Sequence, residues 1–193
     1  MPTLTALDLS TRTGGPEDDE RLLNEITSRR CGPCQACCTA YGVKETRKPY
    51  DTRCQFQCPS GCSIYEYRPD TCRTFACAWR VGLGDDTDRP DLSGFMVTLE
   101  MPDGAGGPVY VDVLELRPGV FESAALDRVM TLVAATAPLA EGLLGGVRLY
   151  PHGLRQHCAW DPENNPAHRP TFKPIGLLGA VRVYEFVGNR PKG

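Results

Sequence analysis

The order of apolar and polar positions divides the chain into three stretches of different texture. Residues 1–16 are small and polar and end on Gly14-Gly15-Pro16, so we expect a disordered tail. Next, Glu17-Asp18-Asp19-Glu20 precede Leu22, Leu23 and Ile26, and Arg29-Arg30 close the segment. Acid at the start and base at the end complement the helix dipole, which predicts a helix over 17–30. Residues 31–80 show no sustained period. Cys31-Gly32-Pro33-Cys34 reads as a tight turn, Ser63–Tyr67 as a short helical or turn piece broken by Pro69, and Thr71–Arg80 as helical. Residues 81–91 read as a linker. Beyond it, Phe95–Leu99 and the strictly alternating Val109–Leu116 predict two strands joined by the Gly- and Pro-rich loop 102–108. Glu122–Ala137 is rich in Ala, Leu and Val and predicts a helix stopping at Pro138, and 147–150 and 181–186 predict further strands. The sum is an α+β fold. A loop-rich cysteine module with its leading helix (17–80) packs on a small, mostly antiparallel sheet with one or two helices (81–193), the two forming one globular unit.

Composition narrows the class. The apolar fraction of 41% supports a core, and 20 Gly and 17 Pro imply many turns. No apolar run approaches the roughly 20 residues of a membrane span. The opening Met-Pro-Thr-Leu-Thr-Ala-Leu-Asp has neither a basic region nor a long apolar one, so we expect a cytoplasmic protein whose thiols stay reduced. A net charge of −3 argues against nucleic acid as a partner; a protein partner stays compatible with it.

Nine of the ten cysteines lie within residues 31–77. The first four stand as C-x-x-C-x-x-C-C at Cys31, Cys34, Cys37 and Cys38, followed by Cys54, Cys58, Cys62, Cys72 and Cys77. A packed core has no need of this, and a disulfide framework suits an exported chain. Thiolates two residues apart can share one metal ion, because the intervening turn puts both sulfurs on one side. Four thiolates hold zinc, and four also hold an iron–sulfur cluster, often as three close cysteines and a distant fourth. Both a 4Fe-4S cluster and Zn²⁺ therefore stand as cofactors. Adjacent side chains diverge, so Cys38 serves a second metal, bridges two, or is a free thiol. From Arg29 to Arg80 there are nine Lys/Arg against four Asp/Glu. This excess compensates an anionic thiolate site, or else forms a patch for an anionic partner. The acids at 85, 86, 88 and 91 lack the Gly and Glu of an EF-hand loop and read as a solvated turn.

The run C-x-x-C-x-x-C-C, then Cys54, then Cys62-Ser-Ile-Tyr-Glu-Tyr-Arg-Pro-Asp-Thr-Cys72-Arg-Thr-Phe-Ala-Cys77 resembles the YkgJ-type cysteine-cluster family, described as a zinc- or iron-chelating domain. Ile64, Tyr65, Arg68, Pro69 and Arg73 match its second motif. The resemblance covers residues 31–80 and implies Cys31, Cys34, Cys37, Cys38, Cys54, Cys62, Cys72 and Cys77 as ligands. Cys58 is not in the pattern and stands as an additional candidate. Related modules accompany enzymes, including one that methylates flagellin lysines.

Among the other residues, Arg68 and Arg73 could donate to sulfur, or pair with Glu66 or Asp70. Tyr65 and Phe75 would cover the site, and Trp79 reads as core. Outside the module, His152, His157 and Cys158 could add ligands, or His157 could activate Cys158; the alternative is a polar loop. There is no Walker loop, dinucleotide fingerprint or H-E-x-x-H motif. Three functions are open: a metal or iron–sulfur protein with a redox or accessory role, a structural zinc module presenting a surface to protein or nucleic acid, and a metalloenzyme or protein-modification enzyme.

Overall fold

The computed structural model of the protein describes residues 21, 29–100, 107–140, 143–152, 168–178 and 181–191. The tail expected at 1–16 and most of the helix expected at 17–30 lie outside these residues; Arg21 is helical and Arg29-Arg30 are not. The elements run in the order α1 (Ala36–Ala40), β1 (Gln57–Cys58), β2 (Gly61–Cys62), α2 (Asp70–Thr74), α3 (Pro90–Ser93), β3 (Phe95–Glu100), β4 (Val109–Glu115), α4 (Ala125–Thr136), β5 (Leu144–Tyr150), β6 (His168–Leu178) and β7 (Val181–Pro191). Short 3₁₀ turns lie between them, one at Tyr65–Tyr67 where a helical piece was expected. The mixture of helices with the two-stranded ladder of β1 and β2 and a small sheet of the remaining strands is α+β.

Five strands form that sheet in the order β3-β4-β5-β7-β6. Both edges are antiparallel hairpins, β3 with β4 and β6 with β7. The two central ladders, β4 with β5 and β5 with β7, are parallel. The first of these follows from α4, which lies between β4 and β5 in the chain and lets them run the same way. The strand β6 was not anticipated, because Pro170 and Pro174 interrupt its pattern. It survives as the last strand of the sheet, where proline is tolerated, and its pairing to β7 shifts register near both prolines.

Because strand side chains alternate, the sheet has two faces to cover. One carries Phe95, Val97, Val111, Val113, Val147, Leu149 and Val183, and α4 lies on it with Val129, Leu132 and Val133. With Thr136, those helix residues follow the 3, 4, 7 spacing of one buried stripe. The opposite face carries Met96, Leu114 and Tyr150. Against it pack Ala40, Cys77 and Trp79, with Ala36, Cys37, Tyr41 and Phe75 alongside. The cysteine module thus seats on the sheet as a second layer.

Polar residues share that inner face. Arg148 on β5 donates two hydrogen bonds to Asp112 on β4, at 2.6 and 2.7 Å, and both side chains are buried. The Arg148 guanidinium also lies 4.5 Å from the Tyr110 ring centroid. The Tyr41 hydroxyl shares a hydrogen bond with Thr98 at 2.9 Å and donates to Glu100 at 3.2 Å, tying α1's end to β3.

Of the acids expected to form a solvated turn at 81–91, Asp85, Asp86 and Asp91 are exposed, and Asp88 is buried. Asp85 caps the turn Asp86–Asp88 by accepting from the Thr87 N–H at 2.8 Å. Asp88 is buried and accepts from Arg128 of α4 at 2.8 Å, so the segment pins the helix to the module's exit. The helix expected over 71–80 is cut to α2. Phe75 turns extended (φ −66°, ψ 127°), and the chain then carries Cys77 down to the sheet. Among the described residues, no helix is long and apolar enough to cross a membrane.

The buried ion pair yields a direct stability test. Asp112→Ala strands the Arg148 charge in the interface and is expected to lower unfolding free energy by about 3–5 kcal/mol. Adding Arg148→Met to it should restore most of the loss, as read from urea denaturation of the single and double variants.

Candidate metal centre

Local sequence decides where each sulfur goes. Gly32 and Pro33 close a turn between Cys31 and Cys34. The chain then enters α1, whose first turn is held by Gln35 donating to the Cys58 carbonyl at 2.9 Å. On a helix, consecutive residues point about 100° apart. Cys37 joins the apolar cluster beneath the module. Cys38 instead stands near Lys48. The turn Lys44–Thr46 ends on Arg47 in the left-handed region (φ 53°), which reverses the chain so that Val43 and Lys48 bond each other's backbones at 2.9 and 3.0 Å. This brings Lys48 inward, and Cys54 follows, its N–H donating to the Cys38 carbonyl at 3.0 Å. The two-residue hairpin of β1 and β2 carries Cys58 and Cys62, and α2 carries Cys72.

All nine described cysteines are free thiols, and Cys158 lies outside the described residues. Seven of them, Cys31, Cys34, Cys37, Cys38, Cys54, Cys62 and Cys72, line one hollow of about 240 Å³. Phe56, Ile64, Tyr65 and Phe75 supply apolar wall, and Lys48, Arg68, Arg73 and Arg80 supply cations. The eighth, Cys77, is buried beside this hollow. Among the described residues no three or more His, Cys, Asp or Glu already converge tightly enough to hold a metal ion. The sulfurs ring a space instead of meeting at a point.

Electrostatic proximity sorts the sulfurs into two sets. Burial pushes the Cys77 thiol up to about 12, and Cys31 and Cys34 are its sulfur neighbours. Cys37 is raised by its hydrogen bond to Cys38, by burial, and by the nearby sulfurs of Cys38, Cys31 and Cys77. Cys31, Cys34, Cys37 and Cys77 form this inner set. Cys72 is an exposed residue that lines the hollow; partial burial there still pushes it up to about 11, and its sulfur neighbours are Cys38, Cys54 and Cys62. Cys62, raised by burial, again faces Cys38 and Cys54. Cys38, Cys54, Cys62 and Cys72 form the outer set. The two sets meet at Cys38, which also neighbours Cys31 and accepts a hydrogen bond from Cys37; that bond lowers Cys38, helped by Lys48.

Donors aimed at sulfur stabilise thiolate over thiol. Cys34 is pushed up to about 11 by burial, against which the N–H groups of Ala36 and Asp91 work, while the Asp91 carboxylate adds to the rise. The Ile64 N–H serves Cys62, and the Arg80 N–H serves Cys77. The Arg80 side chain is buried and hydrogen-bonds Cys31, opposing the rise that burial causes there. Lys48 is equally buried, with its ammonium donating to the carbonyls of Thr39 and Pro49 at 3.1 Å and of Tyr41. Burial lowers its pKa, and the sulfurs of Cys54, Cys38 and Cys37 hold it up.

Lys48, Arg80 and Asp91 were missed as individual site residues, because only the total of local cations stood out in the sequence. The positions that carry a signal are the Arg three residues after Cys77 and the Lys between Cys38 and Cys54. Arg68 and Arg73 do line the hollow, but their described bonds differ from those expected. Arg68 lies 3.6 Å from the Tyr65 ring centroid. Arg73 donates to the carbonyls of Arg68 at 3.1 Å and Glu66 at 2.7 Å. Tyr65 and Phe75 do wall the hollow, and Trp79 is buried under the Arg29 guanidinium, 5.3 Å from its ring. Cys58 stands outside the hollow, bonded to the Ser60 hydroxyl at 3.3 Å. His152 is exposed, does not line the hollow, and its N–H donates to Glu115 at 2.8 Å. His157 lies outside the described residues with Cys158. No protein-family model, curated protein or solved structure matches the chain.

Thiolate character follows from this geometry. The Ser60 hydroxyl lowers Cys58 and the Cys37 bond lowers Cys38. In metal-free protein near neutral pH, brief iodoacetamide treatment is expected to label these two ahead of Cys34, Cys72 and Cys77. Peptide mapping reads the order, and early labelling of Cys77 would contradict it.

Proposed function

We propose that the module is a metal–thiolate centre carrying iron–sulfur chemistry, held by the inner and outer sets of four cysteines each. The observation that carries this is the single hollow ringed by seven cysteines and four cations. Soft thiolates select zinc, copper(I) and iron–sulfur clusters over hard cations. A single zinc wants four sulfurs about 2.3 Å from one point, which leaves no room between them. A space of about 240 Å³ is more than ten times what one water occupies by that measure, roughly 10–15 Å³, and suits a polynuclear core.

Charge supports the same reading. Eight thiolates around two divalent cores carry a net charge of about −4. Lys48, Arg68, Arg73 and Arg80 at the hollow offset it. The YkgJ-type resemblance points to these same eight cysteines. Within this reading the chain's own residues have separate tasks. The backbone amides of Ala36, Ile64 and Arg80 oppose the rise that burial causes at Cys34, Cys62 and Cys77, Lys48 and Arg80 offset negative charge on sulfur, and Phe56, Tyr65 and Phe75 wall the site. The bound core would supply electron storage in a redox or accessory role. That role separates this reading from a structural zinc module, in which the metal only fixes shape.

Protein isolated without oxygen is expected to be brown and to contain both iron and acid-labile sulfide. Colourless protein loaded with zinc would replace this reading with the structural zinc one. Cys34→Ser and Cys72→Ser should each reduce bound metal by roughly half and lower thermal stability, since ligation and folding are coupled. Cys158→Ser should leave metal content intact. Elemental analysis of the three variants distinguishes these outcomes.

A further inference from the structure

The two cysteine sets differ in what holds them. Cys37 and Cys77 of the inner set belong to the apolar cluster formed with Trp79, Met96 and Leu114. Cys77 is 7% exposed, and its neighbour Ala78 donates to the Val97 carbonyl of β3 at 2.8 Å. Opening this set means peeling α1 and Trp79 off the sheet. Arg29 resists that, because its guanidinium donates to the carbonyls of Trp79 at 3.0 Å, Leu83 at 2.7 Å and Gly84 at 2.7 Å.

The outer set shares only part of this support: Cys38 rides α1 and Cys54 bonds its carbonyl, whereas Cys62 and Cys72 lie on elements away from the sheet. None of its four cysteines belongs to an apolar core cluster among the described residues. Cys72 is exposed on the five-residue α2, whose N-cap residue makes no side-chain bond. The described side-chain ties of that helix to the chain before it are two bonds from Thr71 to Glu45, at 2.8 and 3.2 Å, and two from Arg73 to the carbonyls of Arg68 and Glu66, at 3.1 and 2.7 Å, all four on short loop segments outside the core clusters. Cys62 rides a ladder of two residue pairs. Short elements with little buried apolar area open locally at low free energy, whereas segments in the core open only with the whole fold.

We propose that the two sets are unequal in kind: the outer set is an exchange port through which metal enters and leaves, and the inner set keeps its metal and locks the module to the sheet. The proposal rests on the metal–thiolate reading above. Exchange here is ligand substitution without electron transfer. An incoming ligand's donors replace the outer thiolates one at a time, beginning at exposed Cys72, and each freed sulfur takes a proton from water. The outer set's position suits delivery to, or acceptance from, a partner that offers soft or nitrogen donors.

The test uses the full-length, anaerobically loaded protein, with bathophenanthroline disulfonate and ascorbate in excess if it carries iron, the ascorbate reducing ferric iron as it is captured and bridging sulfide leaving as hydrogen sulfide, or pyridylazoresorcinol if it carries zinc. Release is expected in two phases of similar amplitude whose rates differ by about tenfold or more. Cooperative thermal unfolding should persist after the fast phase and be lost after the slow one. Cys72→Ser should abolish the fast phase and spare the slow one, and Cys31→Ser should do the reverse. Should Cys31→Ser fail to fold, Cys62→Ser serves beside Cys72→Ser and must remove the same fast phase. A single phase in the unsubstituted protein, or loss of the slow phase in Cys72→Ser, overturns the proposal while leaving the metal reading standing. Protein that binds no metal overturns both.

Discussion

Strands β3, β4 and β5 bury consecutive residues, so both sides of the sheet must be covered, and this requirement organises the whole molecule. Helix α4 satisfies one side with a regular apolar stripe. The other side presents Met96, Leu114 and Tyr150, together with the Arg148–Asp112 pair, which only a dry covering layer makes strong. The cysteine module is that layer. It has little regular structure of its own, two five-residue helices and a hairpin with two pairs, and no core cluster separate from the sheet among the described residues. Module and sheet therefore complete each other. Cys37 and Cys77 are members of the shared core as much as they are sulfur donors.

The same seating explains where the charges fall. Lys48 and Arg80 are buried beside sulfur, positions that long cationic side chains occupy only when something nearby is negative or strongly accepting. Lys48 finds three carbonyls, and Arg80 finds Cys31. In the proposed function these cations are fixed in place before any ion arrives. Of the nine local cations, Lys48, Arg68, Arg73 and Arg80 line the hollow, while Arg30, Lys44, Arg47 and Arg53 are exposed.

Much of the frame was legible from the residues. Strict alternation at 109–116 marked β4, and the Ala/Leu/Val run marked α4 to within a few residues at each end. The reading failed where tertiary context outweighs local pattern. Prolines hid β6, because a pattern cannot tell an edge strand from a loop. The helix read over 71–80 stopped after Thr74, since Cys77 and Trp79 gain more from the sheet than from another helical turn. Among the acids of 81–91, buried Asp88 could not be told from its solvated neighbours, because its partner Arg128 lies forty residues away along the chain. At the site, the cysteines announced themselves by spacing. Their division into two sets could not be read, as it depends on how α1 turns Cys37 and Cys38 apart.

The prolines of β6 have one more effect. The outer side of this strand meets no other strand of the sheet, and Ile175 and Leu177 stand exposed along it. A bare rim of that kind would ordinarily template the addition of a foreign chain. Pro170 and Pro174 remove amide donors from it, and the shifted register around them breaks the even spacing a newcomer would need. The residues that obscured the strand in the sequence thus also make its edge a poorer template for a foreign strand.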